Sequence, residues 1–505
     1  MSFSLDRKYQ NFLWCVLVLA LASRILTMAF IPLTDTTESR YGEIARKMVE
    51  TNDWVTLQHD YGIPFWAKPP LSTWLAAGSM KLFGISEFAV RLPSLLLAVS
   101  ILLMTWYIGK LRHNKEYGLL SAAILCSFPL FYIASGTVMT DMALAFSTCI
   151  SFITFWLAIS THEKYEAQLY GWLFFVGLGL GLLAKGPICG VMTIFPILLW
   201  MLRKKLDWLE LWHKLPWIKG SLIMLLIAAP WYSLAENSTP GFLQYFLVGE
   251  HIKRFLVSGW EGDLYGYAHQ QPTGTIWVFW ILAALPWSLL AIPWILAKGK
   301  GTPSLFKDQD GWAWYLFCWA IWPMLFFTLA KNIIWPYVIT SLPASALLTT
   351  ELWHRHNTVQ EKAPLFVYRH WLWIPFMMST FLVAGMLPFV YAPIMEKFTQ
   401  KFFIQEYLQR RTSQNSQLYY LFQRYSSAEF YSHGTAKHTD NQAIFKALLN
   451  DNIIDFIILK DKDLMKIDPK IISLFMKIKN AYGTSLYVEK NTPITREKLV
   501  KTGRI

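Results

Sequence analysis

The sequence predicts an all-α multi-span membrane protein of about 11–13 transmembrane helices, with amphipathic surface helices and a small α/β domain at the C-terminal end. Three observations predict it. Of 505 residues, 54% are hydrophobic and only 16% charged, against roughly 25% charged in a soluble globular chain. Apolar runs of about 18 residues or more recur along most of the chain, each long enough to cross a bilayer as a helix. From about residue 394 the runs stop and a polar tail takes over. The 25 Trp and 23 Tyr suit the interfacial belts where both residues collect.

Eleven spans fit the runs, near residues 11–33, 87–110, 117–134, 139–160, 169–184, 187–203, 216–235, 274–297, 311–330, 334–353 and 370–393. The apolar stretch 71–84 is short for a span and reads as interfacial or re-entrant. Arg7 and Lys8 precede the first run with no small-residue cleavage site after it, the pattern of an uncleaved anchor. The first loop, 34–86, is polar and too long for a connector. Within it Tyr41, Ile44, Ala45, Met48 and Val49 form the stripe of an amphipathic helix lying on the membrane surface.

Loop charge sets the sidedness. Arg7 and Lys8 group with Lys110, Arg112, Lys115, with Arg203, Lys204, Lys205, Lys214, with Lys298, Lys300, Lys307 and with Arg355, Lys362, Arg369 on one face. By the positive-inside rule that face is cytoplasmic. The loops 34–86 and 236–273, the turns near 135–141, Lys185 and Lys331, and everything after 394 fall on the other. The division is thus a membrane domain, 1–393, and a soluble domain, 394–505. In the tail SSAEFYSH, IIDFIILKD and TSLYVEK read as strands, and NQAIFKALLND and PKIISLFMKIKNA as helices.

The net charge of +13 belongs to those cytoplasmic loops facing anionic lipid, so nucleic acid is not a partner. Cys15, Cys126, Cys149, Cys189 and Cys318 all lie in apolar runs without metal-ligand spacing and read as small buried hydrophobes.

Charges at a membrane edge are expensive and mark function by default. On the outer face these are Asp35, Glu38, Arg40, Lys68, Asp141, Lys185, Glu250, His251, Lys253, Arg254 and Lys331, with Tyr337 close by. Each has an ordinary use. Asp35 and Glu38 fit a helix cap, Asp141 the start of the next helix, and Lys185 and Lys331 a snorkelling lysine. Together, carboxylates able to move a proton and cations able to hold a phosphate converge on one face.

The segment DTTESRYGEIARKMVETNDWVTLQHDYGIPFWAKPPLSTW resembles the first outer loop of GT-C glycosyltransferases that use lipid-carrier sugars. The nearest in kind are bacterial lipid A aminoarabinose transferases, which share architecture with protein O-mannosyltransferases. The resemblance spans roughly residues 10–350. It implies a GT-C fold, a sugar donor on polyprenyl (undecaprenyl) phosphate, and transfer at the periplasmic side of the inner membrane to a glycolipid such as lipid A or lipopolysaccharide core. Glu38, Arg40 and Tyr41 match the loop's carboxylate-x-Arg-Tyr core. Thr37 stands where relatives often carry Asp, so the base is Asp35 or Glu38. Asp141 matches a second acidic position, Lys68 the Lys-Pro, Glu250-His251 and Arg254 a Glu-His…Arg-Phe loop, and Lys331 and Tyr337 a Lys…Tyr segment. Catalytic roles thereby fall to Asp35, Glu38 and Asp141. Substrate and phosphate binding falls to Arg40, Tyr41, Lys68, Lys185, His251, Arg254, Lys331 and Tyr337. No cofactor is required. Glu250 and His251 are the residues a divalent metal would use, but Ala67 replaces a Glu that some relatives place before the lysine. A protein O-mannosyltransferase is the first rival. A transporter or flippase is the second, and it predicts charges within the spans and repeat symmetry.

Overall fold

The computed structural model describes residues 5–204, 208–266, 268–290, 310–359, 373–445, 448 and 453–490. The chain divides into two compact units. One comprises 1–28 with 47–386, and the other 29–46 with 387–505. The basic residues Lys205, Lys298, Lys300, Lys307, Lys362 and Arg369, and much of the helix expected at 441–451, lie outside the described residues.

The first unit is helical. It contains most of α1 (Arg7–Phe30), the last third of α2 (Thr37–Thr51), a two-stranded ribbon of β1 (Gln58–Asp60) and β2 (Ile63–Pro64), α3 (Leu71–Phe83), α4 (Glu87–Arg112), α5 (Lys115–Cys126), α6 (Pro129–Ala134), α7 (Thr140–Ser160), α8 (Lys164–Lys185), α9 (Ile188–Lys204), α10 (Trp208–Lys214) and α11 (Trp217–Ser238). A π-helical segment, Gln244–Lys253, then leads to α12 (Thr275–Ala283), α13 (Trp312–Thr328), α14 (Leu342–Val359) and α15 (Trp373–Val390). Among the described residues six helices are long and apolar enough to cross a membrane: α1, α4, α7, α8, α11 and α15. Among the described residues the remaining apolar runs form shorter or interrupted helices. The run 117–134 is one such case. Pro129 offers no N–H and holds Phe128 extended (φ −69°, ψ 126°), so the run breaks into α5 and α6. The run 334–353 opens with a 3₁₀ turn, Trp335–Ser341, before α14.

Local signals start these helices. Ser86 accepts a hydrogen bond from Ala89 N (3.2 Å) ahead of α4, and Asn114 one from Tyr117 N (3.0 Å) ahead of α5. α7 is buried on nearly every face and packs along α8. Arg24 and Arg91 sit inside spans, where the loop analysis placed no charge. Arg24 of α1 donates to Ile133 O (3.1 Å) and lies over the Tyr132 ring, and Arg91 of α4 donates to Met28 O (3.0 Å). Each guanidinium thus donates to a main-chain carbonyl, and Arg24 also to Thr27 Oγ1 (3.2 Å).

The second unit is α/β. It holds α16 (Lys401–Arg410), β3 (Leu418–Leu421), α17 (Ser426–Tyr431), β4 (Ala436–Thr439), β5 (Phe456–Lys460), β6 (Phe475–Ala481) and β7 (Thr484–Glu489). The sheet order is β4-β3-β5-β7-β6, with β4, β3 and β5 parallel and β7 antiparallel to both neighbours. Leu418 and Tyr420 face one core with Phe403 and Tyr407 of α16, while Tyr419 and Leu421 face another with Phe445 and Phe475. A sheet covered on both faces explains why β3 and β5 are apolar at consecutive positions.

Two expectations for the tail are corrected. SSAEFYSH is mostly helical, as α17, because its serines sit at the helix start rather than in a strand. PKIISLFMKIKNA is one short turn, Pro469–Ile472, followed by β6. Tyr482 (φ 49°) and Gly483 (φ 73°) form a two-residue turn with both residues left-handed, which folds β6 onto β7.

Residues 29–46 are built into this unit. Leu33 N donates to Tyr431 OH (2.7 Å) and Asp35 N to Phe398 O (2.8 Å). The Asp35 carboxylate accepts from Ser39 Oγ (2.7 Å), Ser427 N (2.9 Å) and, more closely, Ser427 Oγ. Asp35→Ala strands the Ser427 donors and should cost about 1–3 kcal/mol. A lowered melting temperature and faster proteolysis of the tail are expected. An unchanged protein by both measures contradicts this role.

Candidate functional site

The first unit contains a half-open cavity of about 190 Å³ that gathers its charged residues. Lys68, from the Lys-Pro-Pro turn before α3, reaches Glu250 Oε2 at 2.8 Å. Glu250 also receives Arg254 Nη1 (3.1 Å), one helical turn on. Arg254 in turn meets Asp263 Oδ2 at 3.1 Å. One buried carboxylate therefore holds two cations side by side. Burial by itself raises the Glu250 pKa. Lys68 and Arg254 outweigh that and hold the carboxyl below its ordinary value. Burial likewise opposes charge on Arg254, but Glu250, Tyr337 and Asp263 outweigh it, and the guanidinium stays charged.

A second ion pair stands on the same cavity. Asp141, in the first turn of α7, accepts from Lys185 Nζ (2.5 Å) at the end of α8. Lys185 Nζ also lies 4.5 Å from the centre of the Tyr337 ring, a cation–π contact. Met139 caps α7 without a side-chain bond, and Asp141 turns its carboxylate to Lys185. Gly186 ends α8 in the left-handed region (φ 77°). A Cβ there would come within 2.6 Å of the Phe246 ring, so glycine satisfies both the turn and the close approach.

The π-helical segment aims Glu250 and His251 inward, and such segments recur at functional sites. His251 spans two main-chain carbonyls, with Nδ1 2.8 Å from Phe246 O and Nε2 3.2 Å from Lys185 O. Burial lowers its pKa, against the pull of those carbonyls. Asn332 donates to Arg254 O (2.6 Å) and Val257 O (2.7 Å), tying the loop that carries Arg254. Leu144, Ile188, Val191, Phe255, Phe326 and Phe327 make the rest of the wall apolar.

The structure thus brings Lys68, Asp141, Lys185, His251, Arg254 and Tyr337 to one cavity. Lys331 is exposed and contributes its main chain instead: its N donates to Phe255 O (3.0 Å) and its O accepts from Gln271 N (3.4 Å). The described residues that line the cavity belong to the first unit, and Asp35, Glu38, Arg40 and Tyr41 belong to the second. There Glu38 accepts from Thr34 N (3.1 Å) and Thr34 Oγ (3.3 Å) at the start of α2, and burial raises the Asp35 pKa against its serine hydrogen bonds. Arg40 and Tyr41 are half-buried on α2. Asp263 and Asn332 are additions that sequence reasoning did not single out. The only hint lay in their loops, EGDLYG and AKN.

The residues do not suit a divalent metal. Both Glu250 oxygens are bonded to cations, both His251 nitrogens face carbonyl oxygens, and position 67 is an alanine. Among the described residues no three His, Cys, Asp or Glu side chains stand together as a ligand set.

The fold matches known proteins. The crystal structure of ArnT from Cupriavidus metallidurans bound to undecaprenyl phosphate superposes over 95% of this chain and 98% of its own, with a TM-score of 0.74 at 16% identity. This chain has the ArnT fold. The apo form of ArnT superposes with a TM-score of 0.72. Residues 14–246 match the family described as dolichyl-phosphate-mannose-protein mannosyltransferase. Similar sequences include the undecaprenyl phosphate-alpha-4-amino-4-deoxy-L-arabinose arabinosyl transferases of Erwinia tasmaniensis and Aeromonas hydrophila. The first is 29% identical over 62% of this chain and 54% of its own, and the second 29% over 66% and 58%. The matched stretch spans little more than half the length of these relatives.

Two outcomes test this geometry. The Glu250 carboxyl is depressed in the folded protein, so its stabilising contribution is present above the ordinary value of 4.5 and is lost as pH falls below it. The melting-temperature gap between wild type and Glu250→Gln should hold steady from neutral pH to about 5 and close under more acidic conditions. A gap that closes between pH 7 and 6 contradicts the assignment. Gly186→Ala should displace Phe246 and loosen the Lys185–Asp141 pair, lowering the melting temperature by several degrees. An unshifted midpoint contradicts it.

Proposed function

We propose that this protein transfers a single sugar from a polyprenyl-phosphate donor to a glycolipid at the periplasmic face of the bacterial inner membrane, lipid A or lipopolysaccharide core being the acceptor. The observation that carries the reading is the cavity's chemistry. Paired cations, Lys68 and Arg254, stand against an apolar wall in a membrane protein. A phosphate bearing an isoprenoid chain suits that combination. The ArnT fold and the names of the similar sequences support the same class of reaction. The basic loops on the opposite face support the orientation.

In this mechanism the donor phosphate engages Lys68 and Arg254. As the bond from sugar carbon to phosphate oxygen breaks, charge builds on the leaving lipid phosphate, and the two cations stabilise it in a site of low dielectric. Glu250 holds them close together before the donor arrives, so little reorganisation remains for the reaction. Asp141, aligned by Lys185, orients the sugar, through an amino group where the sugar carries one. An acceptor phosphate is already anionic and attacks without a base, whereas an acceptor hydroxyl gives its proton to a carboxylate of the cavity. Asp35, with its carboxylate bonded to Ser39 and Ser427, serves the architecture of the second unit rather than this proton.

Lipid A and core masses from a strain lacking the protein should show the loss of one sugar. Unchanged glycolipids beside an altered glycoprotein overturn the reading in favour of a peptide acceptor. Asp141→Asn should lower transfer by about 10²–10³-fold at unchanged membrane levels. Full activity removes Asp141 from the mechanism. Chelation should leave the rate unchanged, and a loss reversed by added metal contradicts the ligand chemistry of this cavity.

A further inference from the structure

A larger cavity, of about 470 Å³, opens at the other end of the first unit and holds none of the candidate residues above. Its volume lies in the usual range for small-ligand pockets, about 300–1,000 Å³. α7 measures the separation. Asp141 stands in its first turn, and Ser160, at its last, lines the larger cavity. Nineteen residues of helix span about 28 Å, close to the thickness of a bilayer core. The two cavities therefore belong to opposite membrane surfaces.

The lining is amphipathic. Arg112 ends α4 and Lys214 ends α10, and both reach the cavity. Trp156, Trp200 and aliphatic side chains make the walls. Arg112 pairs with Asp310 and lies over the Trp312 ring. Its Nε is buried without a hydrogen-bond partner among the described residues. Lys214 Nζ donates to Ile159 O (2.8 Å) at the end of α7. Among the described residues of this lining Asp310 is the carboxylate beside Arg112 and Lys214, and its side chain is 42% exposed. An exposed counterion is readily exchanged for another anion. The ligand that fits has a compact anion for Arg112 and Lys214 and an apolar stem for the tryptophans.

We propose that this cavity binds the phosphate headgroup of an anionic phospholipid, with the root of its acyl chains against Trp156 and Trp200. The basic loops at this end assign it to the cytoplasmic leaflet. Only that leaflet assignment rests on the orientation proposed above, and lipid binding itself is independent of the transfer reaction. Bound lipid would fix the ends of α4, α7 and α10 together.

The full-length protein, in nanodiscs of phosphatidylcholine with a minority of phosphatidylglycerol, is released into native mass spectrometry. Wild type should retain phosphatidylglycerol about tenfold or more over its share of the bilayer. The double variant Arg112→Gln with Lys214→Gln should lose the preference. Ser160→Trp, which keeps both cations but fills the cavity, should lose it too. Millimolar inorganic phosphate should leave retention unchanged. Equal retention by wild type and by either variant overturns the proposal. Displacement by inorganic phosphate also overturns it, reducing the cavity to a site for soluble anions. Glycolipid transfer in detergent reads out the catalytic cavity separately, so the two readings fail independently.

Discussion

Glu250 is the constraint around which the candidate site is arranged. A carboxylate taken out of water is tolerable only when paired, and Glu250, 3% exposed at its side chain, is paired twice. Its two partners come from distant parts of the chain, Lys68 before α3 and Arg254 after the π-helical segment. Holding them together fixes the first loop against the loop 236–273. Asp263 extends the network to Arg254, and Asn332 ties the main chain beneath it. Two like charges are thus kept close in a low-dielectric wall, an arrangement that suits the phosphate of the proposed donor.

The second ion pair obeys the same rule with a different geometry. Asp141 is delivered by the start of α7 and Lys185 by the end of α8. Helix ends are natural places for these charges, since a carboxylate suits an N-terminus and a lysine a C-terminus. Gly186 then lets the chain turn at once, and Phe246 and His251 fill the space that a side chain would take. The apolar remainder of the cavity follows from its place among membrane helices.

Much of the frame was legible because it rests on local signals. Hydropathy located the long spans, and the stripe from Tyr41 to Val49 located α2. Sidedness from loop charge reduced the polar residues to a list that contained Lys68, Asp141, Lys185, Arg254 and Tyr337. Their pairing was not legible, because no spacing in the sequence relates Lys68 to a residue 182 positions on. Asp35 is the sharper example. Its place beside Glu38 read as chemistry or capping, and its actual partner, Ser427, lies 392 positions away. The same limit hid Arg24 and Arg91, whose guanidinium groups donate to carbonyls of other segments. In the tail, β6 read as helix because its Lys-Ile-Lys-Asn alternation is short, and the Tyr482-Gly483 turn that makes it a strand was not recognised.

The most direct measurement is the affinity of the purified protein for undecaprenyl phosphate, compared across Lys68→Gln, Arg254→Gln and the double variant. Cations that share one phosphate predict a loss of about tenfold or more for each single change. They also predict a double variant weaker by less than the product, because the partners act on one another through Glu250. Wild-type affinity in both single variants would contradict the account.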